Sequence, residues 1–181
     1  MKSVEHLLDV YYGSVGGNAV FLLNLPPDRR GLIHETDVSR LRGVGEVLRR
    51  TFDVDLARGA GAMASESAEL HAPDSALDGD TRTYWAPHAG TEQASLEINL
   101  GEPRTFDNIA IQECIRQGQR IEVFAVEVAD GDGWREIANG TVVGYKQLLR
   151  VEPVTVSRVR LSITESRWQP TVATFGLYNS A

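Results

Sequence analysis

An apolar run near the N-terminus constrains the fold of this chain more than any other feature. Residues 18 to 33 read NAVFLLNLPPDRRGLI, and six of the seven residues from 19 to 25 are apolar, with Asn24 as the exception. Such a run, ended by Pro26 and Pro27, is typical of a strand buried on both faces of a parallel sheet. A strand of this kind needs parallel neighbours that crossover helices connect, so the rest of the chain must be searched for them.

Two amphipathic helices are predicted beside this strand. The first covers residues 4 to 15 and ends at Gly16 and Gly17. The second begins with Thr36 as its N-cap, and Arg49 and Arg50 in its last turn suit the helix dipole. Apolar side chains of the second helix recur along one stripe: Val38, Leu41, Val44, Leu48 and Phe52.

The pattern changes at about residue 57 to short segments of period two, separated by Gly, Asp, Asn and Pro. With no helical pattern longer than a turn, these segments indicate an antiparallel sandwich or barrel. One helix-strand-helix unit cannot cover both faces of its strand, so residues 1–56 are predicted to be a remnant and 57–181 an all-β domain. DVDLARGAGAM at 53 to 63 is the predicted linker. The predicted strands are 62 to 70, 95 to 101, 106 to 115, 121 to 128, 134 to 138, 142 to 151, 158 to 164 and 173 to 179.

Composition excludes some functions. The net charge of -7 and the pI of about 5.1 argue against nucleic acid as a partner, because no basic stripe is present. Cys114 is the only cysteine, which rules out an intrachain disulfide, and its apolar strand predicts a small buried side chain. The N-terminus lacks the apolar run of a secretory signal, so either the protein is cytoplasmic or its true start is missing.

Two resemblances account for the isolated strand. LLDVYYGSVGGNAVFLLNLPPDRRGLIHETDVSRLRGVG resembles the end of the catalytic barrel in family 29 glycoside hydrolases, the α-L-fucosidases. LDGDTRTYW, ASLEINLGEPRTFDNIAIQECIRQGQRIEVFAVEV, GYKQLLR and TFGLY resemble, in order and spacing, the discoidin-like, coagulation-factor type C domain that follows the barrel in many of these enzymes. The resemblance implies a mainly β chain, in which a discoidin-like, galactose-binding-domain-like β-sandwich (jelly roll) follows a remnant of a (β/α)8 barrel.

The resemblance also implies an activity for the parent enzyme. Family members are retaining glycosidases that release terminal α-L-fucose with an aspartate nucleophile and a carboxylic acid/base, two groups about 5 Å apart. Those residues would lie upstream of Met1, so no catalytic residue is assigned here and this chain alone is expected to be inactive. The expected partner is the missing catalytic barrel. Because relatives are exported or lysosomal, the expected location is secreted, periplasmic or lysosomal.

The alternative is a free-standing, lectin-like module that binds fucosylated or galactose-containing glycans. Sugar sites present an aromatic face with polar side chains around it. Trp168, Arg167, His88 and Arg116 lie in predicted loops and are the candidates, although Trp168 is also suited to capping the core. Trp85 and Trp134 fall in framework segments and are predicted to be core residues. The loops are polar, so membrane insertion is not expected.

Two further positions are candidates. Asn24 ends the barrel strand and either lines the rim of the parent's sugar pocket or satisfies backbone groups in the turn before Pro26. Asp78, Asp80 and Thr81 resemble a calcium loop of family 32 carbohydrate-binding modules, whereas Thr174 stands where those modules often have a glutamate. The loop is therefore either a structural calcium site or an Asp-Gly turn held by its own hydrogen bonds.

A physical expectation follows for the first unit. Without neighbouring barrel strands, residues 19 to 25 are expected to be unpaired or to pack opportunistically on the sandwich. Residues 1–56 are expected to be more mobile than the β-domain.

Overall fold

A computed structural model describes residues 2 to 181. Two helices, α1 (Val4–Ser14) and α2 (Glu35–Phe52), precede a β-sandwich, and short 3₁₀ helices cover Pro73–Ala76 and Ile115–Gln117. The six strands of the sandwich are β1 (Gly61–Ala64), β2 (Ala94–Gln112), β3 (Ile121–Asp130), β4 (Gly133–Thr141), β5 (Gln147–Ser166) and β6 (Thr174–Tyr178).

The strands form two layers that share β2 and β5. One layer has the order β1-β2-β5-β3-β4, and the other consists of β6, β2 and β5. Every pairing is antiparallel, with β1 on residues 96 to 99 of β2 and β6 on residues 108 to 112. The mainly β, antiparallel fold expected from the sequence is therefore confirmed.

Alternate side chains of the strands point into the space between the layers, which is the hydrophobic core. Leu96 and Ile98 of β2 lie against Val159 and Leu161 of β5, and all four are fully buried. Burial of large apolar side chains provides the main stabilisation of the sandwich. Its largest buried side chains include Trp85, Phe106, Phe124 and Phe175.

The structure has six strands where the sequence predicts eight, because bulges do not end the ladder. The register of β2 against β5 shifts between Asn99 and Arg104, where Gly101 has a φ of 78°. A bulge of this kind bends a strand without stopping its pairing. Two pairs of predicted strands are fused in this way: 95 to 101 with 106 to 115 in β2, and 142 to 151 with 158 to 164 in β5.

The helices lie where the apolar spacing predicts them, but one cap differs. His34, not Thr36, is the N-cap of α2: its backbone is extended and its Nδ1 accepts a hydrogen bond from Thr36 N at 3.2 Å. A ring nitrogen two residues before a free N–H can replace the hydroxyl that usually caps a helix. No helix within residues 2–181 has both the length and the apolar composition needed to cross a membrane.

The apolar run between the helices has no strand partner in residues 2–181, which confirms the expectation that residues 19 to 25 are unpaired. Val20 and Leu22 are 87% and 90% exposed, and Leu32 and Ile33 are exposed as well. The turn after the prolines is formed by Asp28, whose Oδ1 accepts hydrogen bonds from two later backbone N–H groups. This segment therefore presents apolar side chains to solvent.

The start of the run is fixed to the sandwich by a backbone contact that we call the Asn18 tie, in which residues 16–18 lie against residues 145–148. Asn18 N donates to Lys146 O at 3.1 Å, and Asn18 Oδ1 accepts from Tyr145 N at 2.7 Å. Asn18 has a φ of 65°, a conformation that asparagine tolerates better than most residues. The tie holds the two parts of the chain together through local backbone shape.

Both helices also contact the outer face of the three-stranded layer. Tyr12 Oη donates to Asn108 Oδ1 at 2.5 Å, and the Arg150 guanidinium lies 4.4 Å from the centre of the Tyr12 ring. At the end of α2, Phe52 makes an edge contact with Tyr178, with ring centres 5.0 Å apart. Burial raises the pKa of Tyr12 to about 12. The helices are therefore packed on the sandwich.

The predicted linker at residues 53 to 63 is folded against the last strand. Asp55 Oδ1 accepts hydrogen bonds from Ala57 N and Leu177 N, both at 3.0 Å, and Ala57 is fully buried. Burial raises the pKa of Asp55. The helices and the sandwich are thus joined by a structured connection.

Candidate functional site

One end of the sandwich is organised around a buried carboxylate, Glu113, which is 3% exposed. Its Oε1 accepts hydrogen bonds from Arg120 N at 2.7 Å and Ile121 N at 3.0 Å, and its Oε2 accepts one from Gly144 N at 2.7 Å. Burial raises the pKa of Glu113 even though three N–H groups hold its carboxylate. Glu113 therefore fixes two loops of the chain relative to each other.

Sequence reasoning missed Glu113, although a signal was present. Ile109 and Ile111 face the core, and Glu113 is the next residue in the same period-two pattern. A carboxylate at a core-facing position needs several hydrogen-bond donors to offset its burial. The alternation thus pointed to a structural carboxylate at the end of β2.

A concave site of about 230 Å³ lies beside Glu113. Arg116 reaches across it and donates from Nη2 to Arg82 O at 2.9 Å, while the exposed Tyr145 ring forms part of its wall. Guanidinium and amide donors beside an aromatic ring can hold the hydroxyls and the apolar face of a sugar. The lining residues are Thr81, Arg82, Gln112, Glu113, Ile115, Arg116 and Tyr145.

Of the predicted sugar-binding residues, Trp168 and His88 lie on neighbouring loops. Gln169 Nε2 donates to Pro87 O, which joins the loop of Trp168 to that of His88. Trp168 is 73% exposed, so it does not cap the core. No ring contact links Trp168 with His88 among the residues that the structure describes.

The two predicted arginines have separate partners. Arg167 Nε donates to Glu122 Oε1 at 2.6 Å, whereas Arg116 contacts the backbone of Arg82 at the concave site. The structure thus places Arg116 with Tyr145, a residue that sequence reasoning did not select. It does not join all four predicted side chains in one contact cluster within residues 2–181.

The predicted calcium loop contains three oxygen atoms close together. Thr83 Oγ1 lies 2.6 Å from Asp78 Oδ2 and 2.8 Å from Asp80 O. The Asp80 carboxylate is instead paired with the Arg82 guanidinium at 2.7 Å, and this pairing lowers the pKa of Asp80 to about 2. Thr81, which was predicted as a ligand, lines the concave site beside this loop.

These donors fit a tight calcium site poorly. Calcium requires six to eight oxygen ligands, and only the Asp78 carboxylate among the converging groups carries a charge. Arg58 Nη2 also donates to Asp78 O at 3.1 Å, which places a cation against the same loop. In the described part of the chain, no three His, Cys, Asp or Glu side chains are grouped to hold a metal ion.

Asn24 lies in the unpaired run, far along the segment from the Asn18 tie. Its side chain is exposed, and no hydrogen bond to it is present within residues 2–181. The Asn24 amide therefore does not satisfy backbone groups in a turn before Pro26; the Asp28 turn lies after the prolines. The other interpretation, a place at the rim of a sugar pocket, stays a prediction.

The remaining tryptophans differ from each other. Trp85 is fully buried, as predicted, and its Nε1 donates to Glu66 O at 3.1 Å. The prediction that Trp134 is a core residue is wrong: pairing with Ala129 places it on the outer face, where the Arg160 guanidinium lies 4.4 Å from its ring centre. The tight turn between β3 and β4 sets this register, which alternation alone does not reveal.

A comparison with known families identifies the sandwich. The model of the F5/8 type C domain matches residues 61–176, which is well over half of the chain. The chain belongs to the F5/8 type C domain family. The matched range contains β1 to β5, the start of β6 and the Glu113 loops, whereas α1 and α2 lie outside it.

The homologues of the whole chain, helices included, are α-L-fucosidases. An Arabidopsis thaliana protein named alpha-L-fucosidase 1 is 35% identical over 98% of this chain. A Bacteroides thetaiotaomicron structure named as an α-L-fucosidase is 37% identical over 99% of this chain with a TM-score of 0.94, and this chain covers 40% of it. A Ruminococcus gnavus GH29 fucosidase solved in complex with fucose is 32% identical over 99% of this chain, with a TM-score of 0.90, and 37% of it is covered.

The chain spans only part of these relatives. It covers 36% of the length of the curated plant proteins that it matches. The match nevertheless includes α1, the apolar run and α2, because it extends over nearly the entire chain. The helical unit and the F5/8 type C domain therefore occur together in the relatives.

Proposed function

We propose that this chain is the C-terminal portion of a retaining α-L-fucosidase that releases terminal α-L-fucose from glycans, with the F5/8 type C domain as a brace for the catalytic barrel. One observation carries the proposal: nearly the whole chain matches two proteins named as α-L-fucosidases, and the match covers 36% of the length of each. The helices and the apolar run supply the last unit of the barrel.

The exposed apolar run supports this proposal. Val20 and Leu22, each more than 80% exposed, belong to a continuous apolar segment that residues 2–181 do not cover. Exposed apolar patches of this kind mark contact surfaces in soluble proteins. Neighbouring strands of a barrel would bury this segment and pair its backbone.

The packing of the helices on the sandwich favours a brace over a tethered module. The Tyr12 to Asn108 hydrogen bond, the Asn18 tie and the Asp55 turn all join the two parts of the chain. A flexibly tethered sugar-binding module would not need these contacts. The sandwich is therefore built to hold the barrel's last unit in place.

The proposal is tested by hydrolysis of an aryl α-L-fucoside. Catalytic groups in such barrels come from the ends of several strands, so the 181-residue chain alone is expected to give no turnover. A chimera joins this chain to the part of the Bacteroides relative outside the matched 40%, and it is expected to hydrolyse the fucoside. Turnover by the chain alone, or a folded chimera without activity, would contradict the proposal.

A second candidate function, glycan binding by the sandwich itself, is favoured by the concave site at Arg116 and Tyr145 and by the exposed ring of Trp168. The candidate ligands are fucosylated or galactose-containing glycans. A glycan array tests this function, with Tyr145→Ala and Trp168→Ala as variants. Trp134→Ala is the matched control, since it also removes a surface tryptophan. An array without signal for the unmodified chain leaves the brace as the only role.

For the Asp78 loop we propose that calcium binds weakly. One carboxylate and two neutral oxygens leave most of the coordination sphere to water, which places the dissociation constant at about millimolar. Calcium at about 0.1 mM is therefore expected to leave the Tm unchanged. An increase of several degrees that EDTA reverses and Asp78→Asn abolishes would show a tight site instead.

A further inference from the structure

A groove lies between the helices and the three-stranded layer, and Gln112 lines both this groove and the concave site at Arg116. Its volume is about 460 Å³. Aromatic rings of Phe52 and Tyr178 meet at its wall, 5.0 Å apart, and Leu48 and Leu148 add aliphatic surface. The groove is thus an apolar cleft between two elements whose relative position is fixed.

Two cations stand at the rim of this groove. Arg49 and Lys146 both line it, and neither forms an ion pair within residues 2–181. Asp53 is the single acid in the lining. The rim therefore favours an anionic group beside an apolar one, since unpaired cations at a contact surface attract carboxylates.

The apolar run shows which way the groove faces. Asn18 contacts the sandwich at Lys146, a groove residue, whereas Asn24 lies at the other end of the run, about 20 Å away at the usual rise per residue of an extended chain. Both α1 and α2 also finish beside the groove, with Tyr11 and Phe52 in its lining. Strand starts and helix ends share one face of a (β/α)8 barrel, and catalytic residues occupy the other.

We infer that, in the longer protein, this groove contacts the end of the barrel at which the strands begin. The contact is made by an apolar side chain flanked by a carboxylate that pairs with Arg49 and Lys146. The inference rests on the proposed function. It assigns the F5/8 type C domain to the face of the barrel opposite the sugar pocket. Charge at the rim and apolar surface at the wall match such a segment, and the length missing relative to the relatives supplies it.

The test uses the chimera with the Bacteroides barrel and a matched pair of variants in the last turn of α2. Arg49→Glu, at the groove, is expected to lower the Tm by about 4 °C or more through loss of the pair and repulsion. Arg50→Glu, the next residue but outside the lining, is expected to shift the Tm by less than about 1 °C. Lys146→Glu should behave as Arg49→Glu does, and kcat/KM should stay within about twofold in all three variants because the groove is remote from the sugar.

The outcomes separate the two proposals. An inactive, folded chimera overturns the proposed function. If the chimera is active but Arg49→Glu and Arg50→Glu lower the Tm equally, or neither lowers it, the inference that the groove contacts the barrel is wrong. An active chimera in which Lys146→Glu lowers kcat/KM more than tenfold while the Tm is unchanged overturns the assignment of the sandwich to the opposite face.

Discussion

Glu113 occupies a position that the rest of β2 fills with core side chains. Its carboxylate accepts hydrogen bonds from three backbone N–H groups, two at the start of β3 and one in the loop between β4 and β5. A buried carboxylate of this kind satisfies backbone N–H groups that would otherwise need the carbonyl groups of a neighbouring strand. The wall of the concave site at Arg116 therefore depends on a residue that a ligand need not touch.

Glu113→Gln is expected to destabilise the protein by about 1 to 3 kcal/mol, because the amide cannot accept from Gly144 N and leaves that buried donor unpaired. Urea unfolding measures the loss. Glu122→Gln, an exposed partner of Arg167, is the matched control and should cost less than about 0.5 kcal/mol. Equal losses in both variants would contradict the role assigned to Glu113.

The difference in stability between the unmodified protein and Glu113→Gln is expected to depend on pH. Burial raises the pKa of Glu113 above its ordinary 4.5, so the folded protein binds this proton more tightly than the unfolded chain does. The stability that Glu113 contributes is complete below the unfolded pKa and is lost as pH rises through the folded pKa. The advantage of the unmodified protein over Glu113→Gln should therefore shrink as the pH rises above 4.5. Growth of that difference with pH would show that the N–H donors outweigh burial.

Tyr12→Phe tests the contact between α1 and the sheet. The change removes the donor to Asn108 Oδ1, a buried amide, and should cost about 1 to 2 kcal/mol in the free energy of unfolding. Tyr11→Phe is the control, because no hydrogen bond of its hydroxyl is present within residues 2–181. A spectroscopic titration should also assign to Tyr12 a phenol that ionises at about pH 12.

At the scale of elements, the Asn18 tie depends on a glycine opposite it. Gly144 has a φ of 60°, and a Cβ there would lie 2.4 Å from Asn18 Nδ2. Gly131 has a φ of 56° but open space around it. Gly131→Ala should cost only the left-handed backbone strain, about 1 to 2 kcal/mol, whereas Gly144→Ala should cost more and release the tie.

Hydrogen exchange measures that release. Amides in residues 16–18 and 145–148 should exchange faster in Gly144→Ala and not in Gly131→Ala. Equal protection of these amides in both variants would mean that the tie does not depend on the shape at Gly144.

The strands show how far the sequence predicts the elements. Alternation placed most of the strands because one face of each is buried, and the helices followed from apolar spacing. It did not show that β2 continues through Gly101, since a glycine and a proline at 101 and 103 are equally typical of a loop. The ladder to β5 decides this, and its residues are about fifty positions away.

The candidate site was less predictable for the same reason. Arg116 was selected by residue type and loop position, and the structure places it at the concave site. Tyr145 was not selected, because its place beside Arg116 depends on the hydrogen bond from Gln112 Nε2 to Tyr145 O, a contact between distant segments. Residue type alone also gave no indication that the Arg82 guanidinium would form an ion pair with the Asp80 carboxylate.

At the scale of the whole molecule, mobility in the first 56 residues is expected to be confined to the apolar run. Trypsin should first cut at Arg29, because Arg30 is held by Asp28 and Glu35. The two fragments should then stay together on gel filtration, since α1 and α2 both contact the sandwich. First cleavage at Arg58, in the predicted linker, would contradict the packing of residues 53 to 63.

The sharing of β2 and β5 by both layers has a consequence for how the chain acquires its structure. Thr105 lies opposite Thr155, so neither layer can be completed until about fifty residues of intervening chain have closed into a loop. Closure of that kind slows folding to the range of milliseconds to seconds. A ribosome releasing this polypeptide would therefore expose the core strands until β5 emerges, and only then can the sandwich close on itself.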